Sequence, residues 1–281
     1  MRSLHHVIAP GKLNLFLHIT GQRSDGYHLL QSVFMLIDWC DTLHFDVRDD
    51  GIIEREDINL PLPADDLVVR AARALQQASE TPLGAHIGIE KHIPAQAGMG
   101  GGSSDAASTL LALNRLWNLN WPVSKLMPIG LKLGADVPFF LGGHNAWVEG
   151  IGESITPLDL PPCRFVVIKP NAGLETAKIF RDPGLQRATE TATMPFFAVD
   201  PYGFGRNDLQ PVAQALCPEI DQALQWLCSF GLSPRMTGSG SAVFAKLPEG
   251  VSLDPAPHNW QMRICSNMAV HPQAGWAASE S

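Results

Sequence analysis

Four glycines and two serines occur within seven positions of this chain, from Gly98 to Ser104. Because glycine has no Cβ, successive N–H groups can turn toward a single anion, which is how a backbone binds phosphate. The segment from Asp105 to Trp117 has apolar residues at roughly helical spacing, so we expect the loop to lead into a helix. The unpaired amides and partial positive charge of a helix N-terminus favour an anion. The run therefore predicts a phosphate-binding site of nucleotide size.

The glycine loop does not fit two common nucleotide motifs. No lysine follows the glycines, as the P-loop requires. The pair Gly98-x-Gly100 is not completed by a glycine at position 103, as a dinucleotide-binding loop requires. A plain turn with Ser103 or Ser104 as a helix cap is the other interpretation. Four glycines in five positions are more than a cap needs, so we favour the phosphate site.

Two charged residues, Lys12 and Asp136, have neighbours that suit an acid–base step. Lys12 is the lone Lys, Arg, Asp or Glu between Val7 and Gly21, which suits a side chain facing a cleft, although lysines usually extend into solvent. Asp136 precedes Val137-Pro138, a position where a helix cap is the commoner use of Asp. Phosphoryl transfer needs alignment, charge stabilisation and a base for the attacking hydroxyl. The residue types alone leave both interpretations open.

Composition limits the partners. At 281 residues the chain can form one large domain or two ordinary ones. A formal net charge of −8 argues against nonspecific binding to nucleic acid or to an anionic membrane surface. No apolar run approaches the roughly 18 residues of a membrane-spanning helix, and the five cysteines are scattered without C-x-x-C spacing. We therefore expect a cytoplasmic protein with no nucleic-acid or membrane partner, and the sequence does not indicate its oligomeric state.

Strand and helix patterns mix without a regular βαβ alternation, which favours an α+β fold. The proline-rich stretch near 155–163 is the best candidate boundary, and it predicts an N-terminal domain over 1–157 and a C-terminal domain over 158–281. Strands are expected over 9–20, 32–45, 86–92, 145–149, 164–168 and 241–247, and helices over 65–78, 105–117 and 208–230. Segment 189–205 is expected to be a loop.

Two further glycine motifs accompany the loop. They are Ala9-Pro10-Gly11-Lys12-Leu13-Asn14-Leu15 and Arg235-Met236-Thr237-Gly238-Ser239-Gly240-Ser241-Ala242. In this order the three motifs resemble those of the GHMP superfamily of small-molecule kinases, which includes galactokinase, homoserine kinase and mevalonate kinase. The resemblance implies a two-domain fold whose active site lies in the cleft between the domains, with the middle motif around the ATP phosphates.

The match narrows to one family of that superfamily, the 4-diphosphocytidyl-2-C-methyl-D-erythritol kinases. The similar elements are Pro10-x-Lys12-x-Asn14-Leu15, Arg23-x-Asp25-Gly26-Tyr27-His28, Gly134-Ala135-Asp136-Val137-Pro138 and Asn207-Asp208-Leu209. The resemblance covers most of residues 8–247 and weakens over the last thirty or so. It implies ATP-dependent phosphorylation of the 2-hydroxyl of a cytidine diphosphate-linked methylerythritol, in the non-mevalonate route to isoprenoid precursors.

The same resemblance implies roles for single residues. Lys12 and Asp136 would be the catalytic pair, and Asn14 would position the erythritol hydroxyls. Tyr27 and Phe180 would enclose the cytosine ring, whose edge His28 would bind, although Phe180 alone would read as an ordinary core residue. The residues implied to contact the nucleotide are Lys91, Pro94, Ala95, Gln96, Ala97, Gly98, Met99, Gly100, Gly101, Gly102, Ser103 and Ser104.

ATP implies Mg²⁺ as its companion. The metal ligand stays open between Ser104 and a metal carried mostly by phosphates and water. Two positions depart from the family pattern: Gln96 stands where glycine is usual, and Asp66 where an Asn near the adenine is frequent. A carboxylate accepts hydrogen bonds but does not donate them, so Asp66 would bind adenine differently. A homoserine- or mevalonate-type kinase and a non-catalytic nucleotide-binding relative are the alternatives. Tyr27 and Phe180 favour the cytidyl substrate, since a small aliphatic alcohol offers no ring to stack.

Overall fold

The first half of the chain forms a six-stranded sheet. The computed structural model describes residues 2–257 and 259–279. The strands are β1 (Ser3–Gln22), β2 (His28–Arg48), β3 (Ile53–Asp57), β4 (Gly84–Glu90), β5 (Ala146–Gly150) and β6 (Ser154–Pro157). Their order is β3-β4-β2-β5-β6, with β1 pairing along β2 in an antiparallel hairpin. This long hairpin carries the first glycine motif into the centre of the molecule.

Four helices cover one face of this sheet: α1 (Leu67–Ser79), α2 (Gly101–Leu116), α3 (Val123–Leu133) and α4 (Val137–Gly142). Helix α1 is amphipathic, and its buried residues Val68, Ala71, Ala72 and Leu75 follow the helical period. Helix α2 is buried on almost every face, since it packs against α1, α4 and the sheet. It begins at Gly101, four residues before the predicted start, because its first turn is made of the glycines and serines themselves.

The second half forms a four-stranded antiparallel sheet in the order β10-β7-β9-β8. Its strands are β7 (Arg164–Lys169), β8 (Arg235–Met236), β9 (Val243–Lys246) and β10 (Gln261–Ser266). Its helices are α5 (Thr176–Arg181), α6 (Met194–Val199), α7 (Gln210–Leu216) and α8 (Pro218–Cys228). The α+β class expected from the sequence is confirmed.

The structure differs from the predicted elements in several places. The single helix expected over 208–230 is two helices, since Pro218 has no N–H to donate and begins α8. The expected loop over 189–205 contains the short helix α6. Strands β3, β6, β8 and β10 lie outside every predicted strand. Charged residues interrupt β3 and β10, as in Ile53-Glu54-Arg55-Glu56-Asp57, and β6 and β8 are only four and two residues long.

The two sheets share a hydrophobic core. Leu13, Phe16 and Met35 from the β1–β2 hairpin pack with Phe165 and Phe244 of the second sheet. The predicted boundary at 157/158 falls between β6 and β7, the last strand of one sheet and the first of the other. After β10 the chain returns to the first half, where Met268, Trp276 and Ala277 pack against the core under α2. No helix within residues 2–257 and 259–279 combines the length and the apolar character needed to cross a membrane.

Candidate functional site

The glycine loop is held open by left-handed glycines. Gly98 and Gly100 have φ values of 72° and 69°, and Gly100 occupies the N-cap of α2. A Cβ on Gly98 would stand 2.2 Å from the carbonyl oxygen of Thr237, so no larger residue fits between the loop and the third glycine motif. The loop therefore ends at a helix N-terminus, where unpaired amides can receive an anion.

The three glycine motifs meet at this loop. The N–H of Lys12 donates to the carbonyl of Met99 at 2.9 Å, and the N–H of Asn14 donates to Thr237 Oγ1 at 2.9 Å. From the third motif, Ser241 N donates to the carbonyl of Gln96 at 3.0 Å. Backbone contacts thus bring together segments that lie far apart in the sequence.

The side chain of Asn207 holds the third glycine motif in place. Its Nδ2 donates to the carbonyl oxygens of Met236 and Gly238, both at 2.8 Å, and the residue is buried. The family pattern Asn207-Asp208-Leu209 singled this residue out in the sequence without indicating what it does. It shapes the loop that packs on Gly98.

Lys12 and Asp136 lie together beside the glycine loop. Lys12 Nζ is 3.5 Å from Asp136 Oδ2, and the Lys12 side chain is 4% exposed against 32% for Asp136. The Lys12 ammonium also donates to Asn14 Oδ1 at 2.5 Å and lies 4.7 Å from the Phe34 ring. A Cβ on Gly100 would stand 3.3 Å from Lys12 Cε, so the lysine side chain packs against the loop.

Asp136 holds the N-cap position of α4 without acting as its cap. Among the described residues, its side chain makes no capping hydrogen bond to the helix. The carboxylate turns to Lys12 instead. The helix-cap interpretation of Asp136 is therefore not realised, and an ammonium and a partly exposed carboxylate stand as a pair at the end of the loop.

A cleft of about 550 Å³ runs along the glycine loop. Every residue of the predicted nucleotide set lines it except Ser104, and Asp66, Leu67 and Arg70 of the α1 region form another wall. Ser104 is fully buried under the loop, and its hydroxyl has no partner among the described residues. Asp66 caps α1 by accepting from Val69 N at 3.1 Å and pairs with Arg55 Nη1 at 2.6 Å, so its carboxylate is already occupied.

Lys91 reaches this cleft but is bound by two buried carboxylates. Its Nζ donates to Asp41 and, at 2.5 Å, to Asp105 Oδ2. Burial lowers the pKa of Lys91, but the two carboxylates outweigh burial and the pKa is raised overall. Lys91 is therefore a fixed cation in the cleft wall, and sequence reasoning missed both of its partners.

A second cleft, of about 900 Å³, contains the predicted acceptor residues Tyr27, His28 and Phe180. Tyr27 is 62% exposed and projects from the β1–β2 turn, and Phe180 belongs to α5. The His28 and Phe180 rings are 5.0 Å apart and inclined by 35°. Leu174 and Thr176 line the first cleft and Ala177 the second, so the segment around α5 borders both.

Arg187 organises the second cleft, and no local sequence signal marked it. Its Nε donates to His28 Nε2 at 3.1 Å, and its Nη2 donates to the carbonyls of Phe180 and Asp182 at 3.2 and 2.8 Å. Burial and then the Arg187 charge lower the pKa of His28, so the imidazole is neutral. Because Nε2 accepts, the ring proton lies on Nδ1, where it can be donated to a ligand.

Asn14 is buried, and its side-chain groups are taken by neighbours. Its Oδ1 accepts from Lys12, and its Nδ2 donates to Ser32 Oγ at 2.9 Å. Its predicted contact with the acceptor hydroxyls remains a prediction. In the part of the chain that the structure describes, no group of three or more His, Cys, Asp or Glu side chains is placed to hold a metal ion.

Comparisons with known proteins show the family. The chain matches the GHMP kinases N terminal domain over residues 66–144 and the GHMP kinases C terminal family over residues 202–252. It is 69% identical over 280 residues to a 4-diphosphocytidyl-2-C-methyl-D-erythritol kinase of Albidiferax ferrireducens, covering 100% of this chain and 98% of that protein. The same enzyme of Delftia acidovorans is 65% identical over 286 residues, with both chains covered in full.

Solved structures give the same picture. A crystal structure of 4-(cytidine 5'-diphospho)-2C-methyl-D-erythritol kinase superposes with a TM-score of 0.73 at 35% identity, covering 86% of this chain and 90% of that one. Homoserine kinase from Cytophaga hutchinsonii superposes with a TM-score of 0.67 at 16% identity, covering 96% of both chains. At 16% identity, the similarity to homoserine kinase is evidence for the fold alone.

Proposed function

The chain belongs to the family of 4-diphosphocytidyl-2-C-methyl-D-erythritol kinases, and on that premise we propose that it transfers the terminal phosphate of ATP to the 2-hydroxyl of this cytidyl alcohol. The product would serve the non-mevalonate route to isoprenoid precursors. One observation carries the assignment of the chemistry: Lys12 Nζ and Asp136 Oδ2 lie 3.5 Å apart, and the Lys12 side chain packs against Gly100 of the glycine loop.

The nucleotide would bind in the cleft along the glycine loop. Backbone amides from Gly98 to Ser103 and the N-terminus of α2 would receive the phosphates, since both present N–H groups and partial positive charge. Ser104 lies one residue further along the helix, buried under the loop, and does not line the cleft. Gln96, which lines the cleft with a left-handed φ of 51°, would border the nucleotide.

Asp136 would act as the base and Lys12 as its electrostatic partner. As the acceptor hydroxyl attacks the terminal phosphorus of ATP, its proton passes to the Asp136 carboxylate and ADP leaves with the bonding electron pair. The Lys12 ammonium stabilises the negative charge that builds up on the transferring group. Asn14 fixes the Lys12 ammonium through the bond to Oδ1, so it acts on the reaction through Lys12.

The cytidine of the acceptor would bind in the second cleft. Tyr27 and Phe180 supply aromatic faces for the cytosine ring, and His28 Nδ1–H supplies a donor for its edge. Arg187 holds His28 and the end of α5 in one arrangement, which pre-forms the site. Stacking of a base on an aromatic side chain contributes about 1–3 kcal/mol.

The Mg²⁺ expected with ATP would be held chiefly by phosphate oxygens and water. The donors of the described residues do not fit a resident metal cage. We therefore assign no step of the reaction to a protein-bound metal. The division into domains over 1–157 and 158–281 is part of the same proposal, with the two clefts along their junction.

A single assay tests the proposal. The purified protein is mixed with ATP, Mg²⁺ and the cytidyl alcohol, and ADP release is followed, with homoserine and mevalonate as parallel acceptors. Turnover of the cytidyl alcohol well above the other two is the expected result. Turnover of homoserine or mevalonate alone would make this a kinase for a small alcohol, and no turnover with any alcohol would favour a non-catalytic nucleotide-binding protein.

A further inference from the structure

Both ends of the glycine loop are bound to one buried cluster of charged side chains, which consists of Asp41, Lys91 and Asp105. At the entry of the loop, Asp41 Oδ1 accepts from the backbone N–H groups of His92 and Ile93 at 2.5 and 2.7 Å. At its exit, Asp105, the fifth residue of α2, accepts from Lys91 Nζ at 2.5 Å. Lys91 Nζ also donates to Asp41 Oδ2, so side chains close the base of the loop.

The cluster is almost completely excluded from solvent. Its side chains are 0%, 12% and 3% exposed for Asp41, Lys91 and Asp105. Asp105 Oδ1 has no hydrogen-bond partner among the described residues. One ammonium therefore faces two carboxyl groups, and full ionisation would leave a net negative charge in a poorly solvated place, which is costly.

The cluster lies directly under the anion site. A Cβ on Gly101, the first residue of α2, would stand 3.4 Å from Asp41 Oδ2. Asp105 and Lys91 themselves line the nucleotide cleft. An uncompensated negative charge here would repel a polyphosphate bound at the N-terminus of α2.

On the premise of the proposed nucleotide site, we propose that Asp41 and Asp105 are positioning residues for the nucleotide. They set the geometry of the glycine loop through Lys91, and they hold the cluster neutral by sharing one proton. Burial raises the pKa of Asp105 to about 8, with the Asp41 carboxylate adding to the rise and Lys91 opposing it. Asp105 is then the protonated member at neutral pH, and Asp41 anchors the loop by accepting from His92 N and Ile93 N.

Other charged groups border the same region. Asp66 and Arg70 line the opposite wall of the cleft from the α1 side. Lys12, which belongs to β1, packs against Gly100. Asp41 from β2 and Lys91 after β4 are the charges that act on the pKa of Asp105. A change in nucleotide affinity that follows the ionisation of Asp105 would therefore report this cluster.

The direction in which pH changes the nucleotide affinity follows from the charge of the cluster. Above the pKa of Asp105 the cluster gains a negative charge, so nucleotide should bind more weakly as pH rises, and binding should draw a proton onto the protein. If the ionised form does not bind, the apparent Kd rises up to about tenfold per pH unit above that pKa. The terminal phosphate of ADP, with a second pKa of about 6, stays ionised over this range and adds no slope of its own.

The experiment is calorimetric titration of the full chain with ADP between about pH 7 and pH 9, in two buffers of different ionisation enthalpy. We expect the wild-type Kd to rise with pH, with proton uptake that is small near pH 7, about half a proton near pH 8 and close to one proton near pH 9. A wild-type Kd that is flat over this range, or binding without proton uptake, overturns the proposal, and this result does not depend on any variant folding.

Three variants separate positioning from simple structural support. Asp105→Asn imitates the protonated acid, so we expect ADP Kd to rise only two- to threefold near pH 7 and the alkaline rise to vanish. Asp41→Asn loses the anchor of the loop, and we expect Kd and KM for ATP to rise tenfold or more while KM for the acceptor stays within twofold. Asp208→Asn, a buried carboxylate bonded to Ile19 N and Thr189 Oγ1, is the control for stability loss alone.

The outcomes are distinguishable. An alkaline rise that persists in Asp105→Asn refutes the shared proton, and an Asp41→Asn variant that melts earlier without a change in KM for ATP refutes the positioning role. Failure of the proposed function would instead be seen as absent turnover in the wild-type protein with every alcohol, whatever the ADP titrations give.

Discussion

The Lys12 ammonium lies 3.5 Å from Asp136 Oδ2, and the two side chains differ sharply in exposure, at 4% and 32%. Lys12 is fixed from within by Asn14 Oδ1 and the Phe34 ring. Asp136 therefore presents the open side of the pair, toward which an alcohol can approach. This asymmetry suits a reaction in which the cation must stay still while the carboxylate accepts a proton.

The first prediction concerns the role of the Asp136 carboxylate as the base. Asp136→Asn keeps the shape of the side chain but removes the base, so we expect kcat to fall about 10²- to 10⁴-fold, the usual contribution of a positioned base. KM values for ATP and the acceptor should change less than threefold. Steady-state kinetics with both substrates varied provide the measurement.

A matched control accompanies this variant. Asp254→Asn removes an exposed carboxylate outside the residues that line either cleft and should leave kcat unchanged. Near-normal turnover by Asp136→Asn would show that this carboxylate is not the base.

Where the chemistry is local, most residues that the sequence singled out line one of the two clefts, and their roles remain predictions. A run of glycines before a helical pattern has few other uses, and Tyr27-His28 stands in one short loop. Asp41 was missed because it comes from a strand with an ordinary apolar pattern. Only the register of β2 against β4, in which Thr42 pairs with Glu90, brings Asp41 beside Lys91.

Arg187 was missed for a related reason. It lies in an irregular segment after α5, and its contacts run to His28, on the far side of the junction between the two sheets. Side-chain bonds between distant segments leave no periodicity in the sequence. The helix break at Cys217-Pro218, by contrast, had a local signal in its proline.

The aromatic faces of the acceptor cleft give a second prediction. Phe180→Leu and Tyr27→Leu each remove a stacking surface, so KM for the cytidyl acceptor should rise by roughly 5- to 150-fold, equivalent to about 1–3 kcal/mol. KM for ATP should remain within twofold. Phe196→Leu, at a residue 72% exposed on α6 and outside both clefts, is the control and should alter neither constant.

Arg187 should govern the pH dependence of acceptor binding. The pKa of His28 is lowered by burial and by Arg187, so the imidazole stays neutral through neutral pH. In Arg187→Gln the pKa of His28 should move back up, and acceptor KM should become higher overall and change with pH between about 6 and 7, where a free histidine titrates. Profiles of KM that stay parallel in wild type and variant would rule out this control of His28.

Gly98 should tolerate no side chain. In Gly98→Ala the new Cβ would stand 2.2 Å from the Thr237 carbonyl, in addition to the cost of a left-handed φ of 72°. We expect ATP binding to weaken at least tenfold and the free energy of unfolding to fall by more than the ~1–3 kcal/mol of backbone strain alone. Gly231→Ala isolates that strain, since Gly231 has φ 73° and open space around a Cβ. Equal losses in the two variants would mean that the contact with the third motif is unimportant.

The segment that follows β10 contains His271, and this residue should make the stability of the fold decrease in acid. This residue is 2% exposed, its backbone N–H donates to Gly143 O at 2.8 Å, and its Nε2 has no partner among the described residues. Burial lowers the pKa of His271 from 6.5 to about 4. The unfolded chain therefore binds a proton more readily, and stability that is present above pH 6.5 should be lost as pH falls toward 4. At about 1.4 kcal/mol per pKa unit the loss is on the order of 3 kcal/mol.

Urea unfolding of wild type and His271→Asn at several values between about pH 4 and pH 7.5 measures this loss. Asparagine retains an acceptor near the position of Nδ1, which accepts from Gln273 N, and it takes up no proton in this range. The variant should be less stable near pH 7, because the smaller side chain leaves a cavity, but its stability should depend less on pH. His5→Asn, at an exposed histidine, should keep the wild-type slope. A His271→Asn curve parallel to the wild-type curve would place the acid sensitivity elsewhere, with buried His18, whose pKa is also lowered by burial, as the next group to replace.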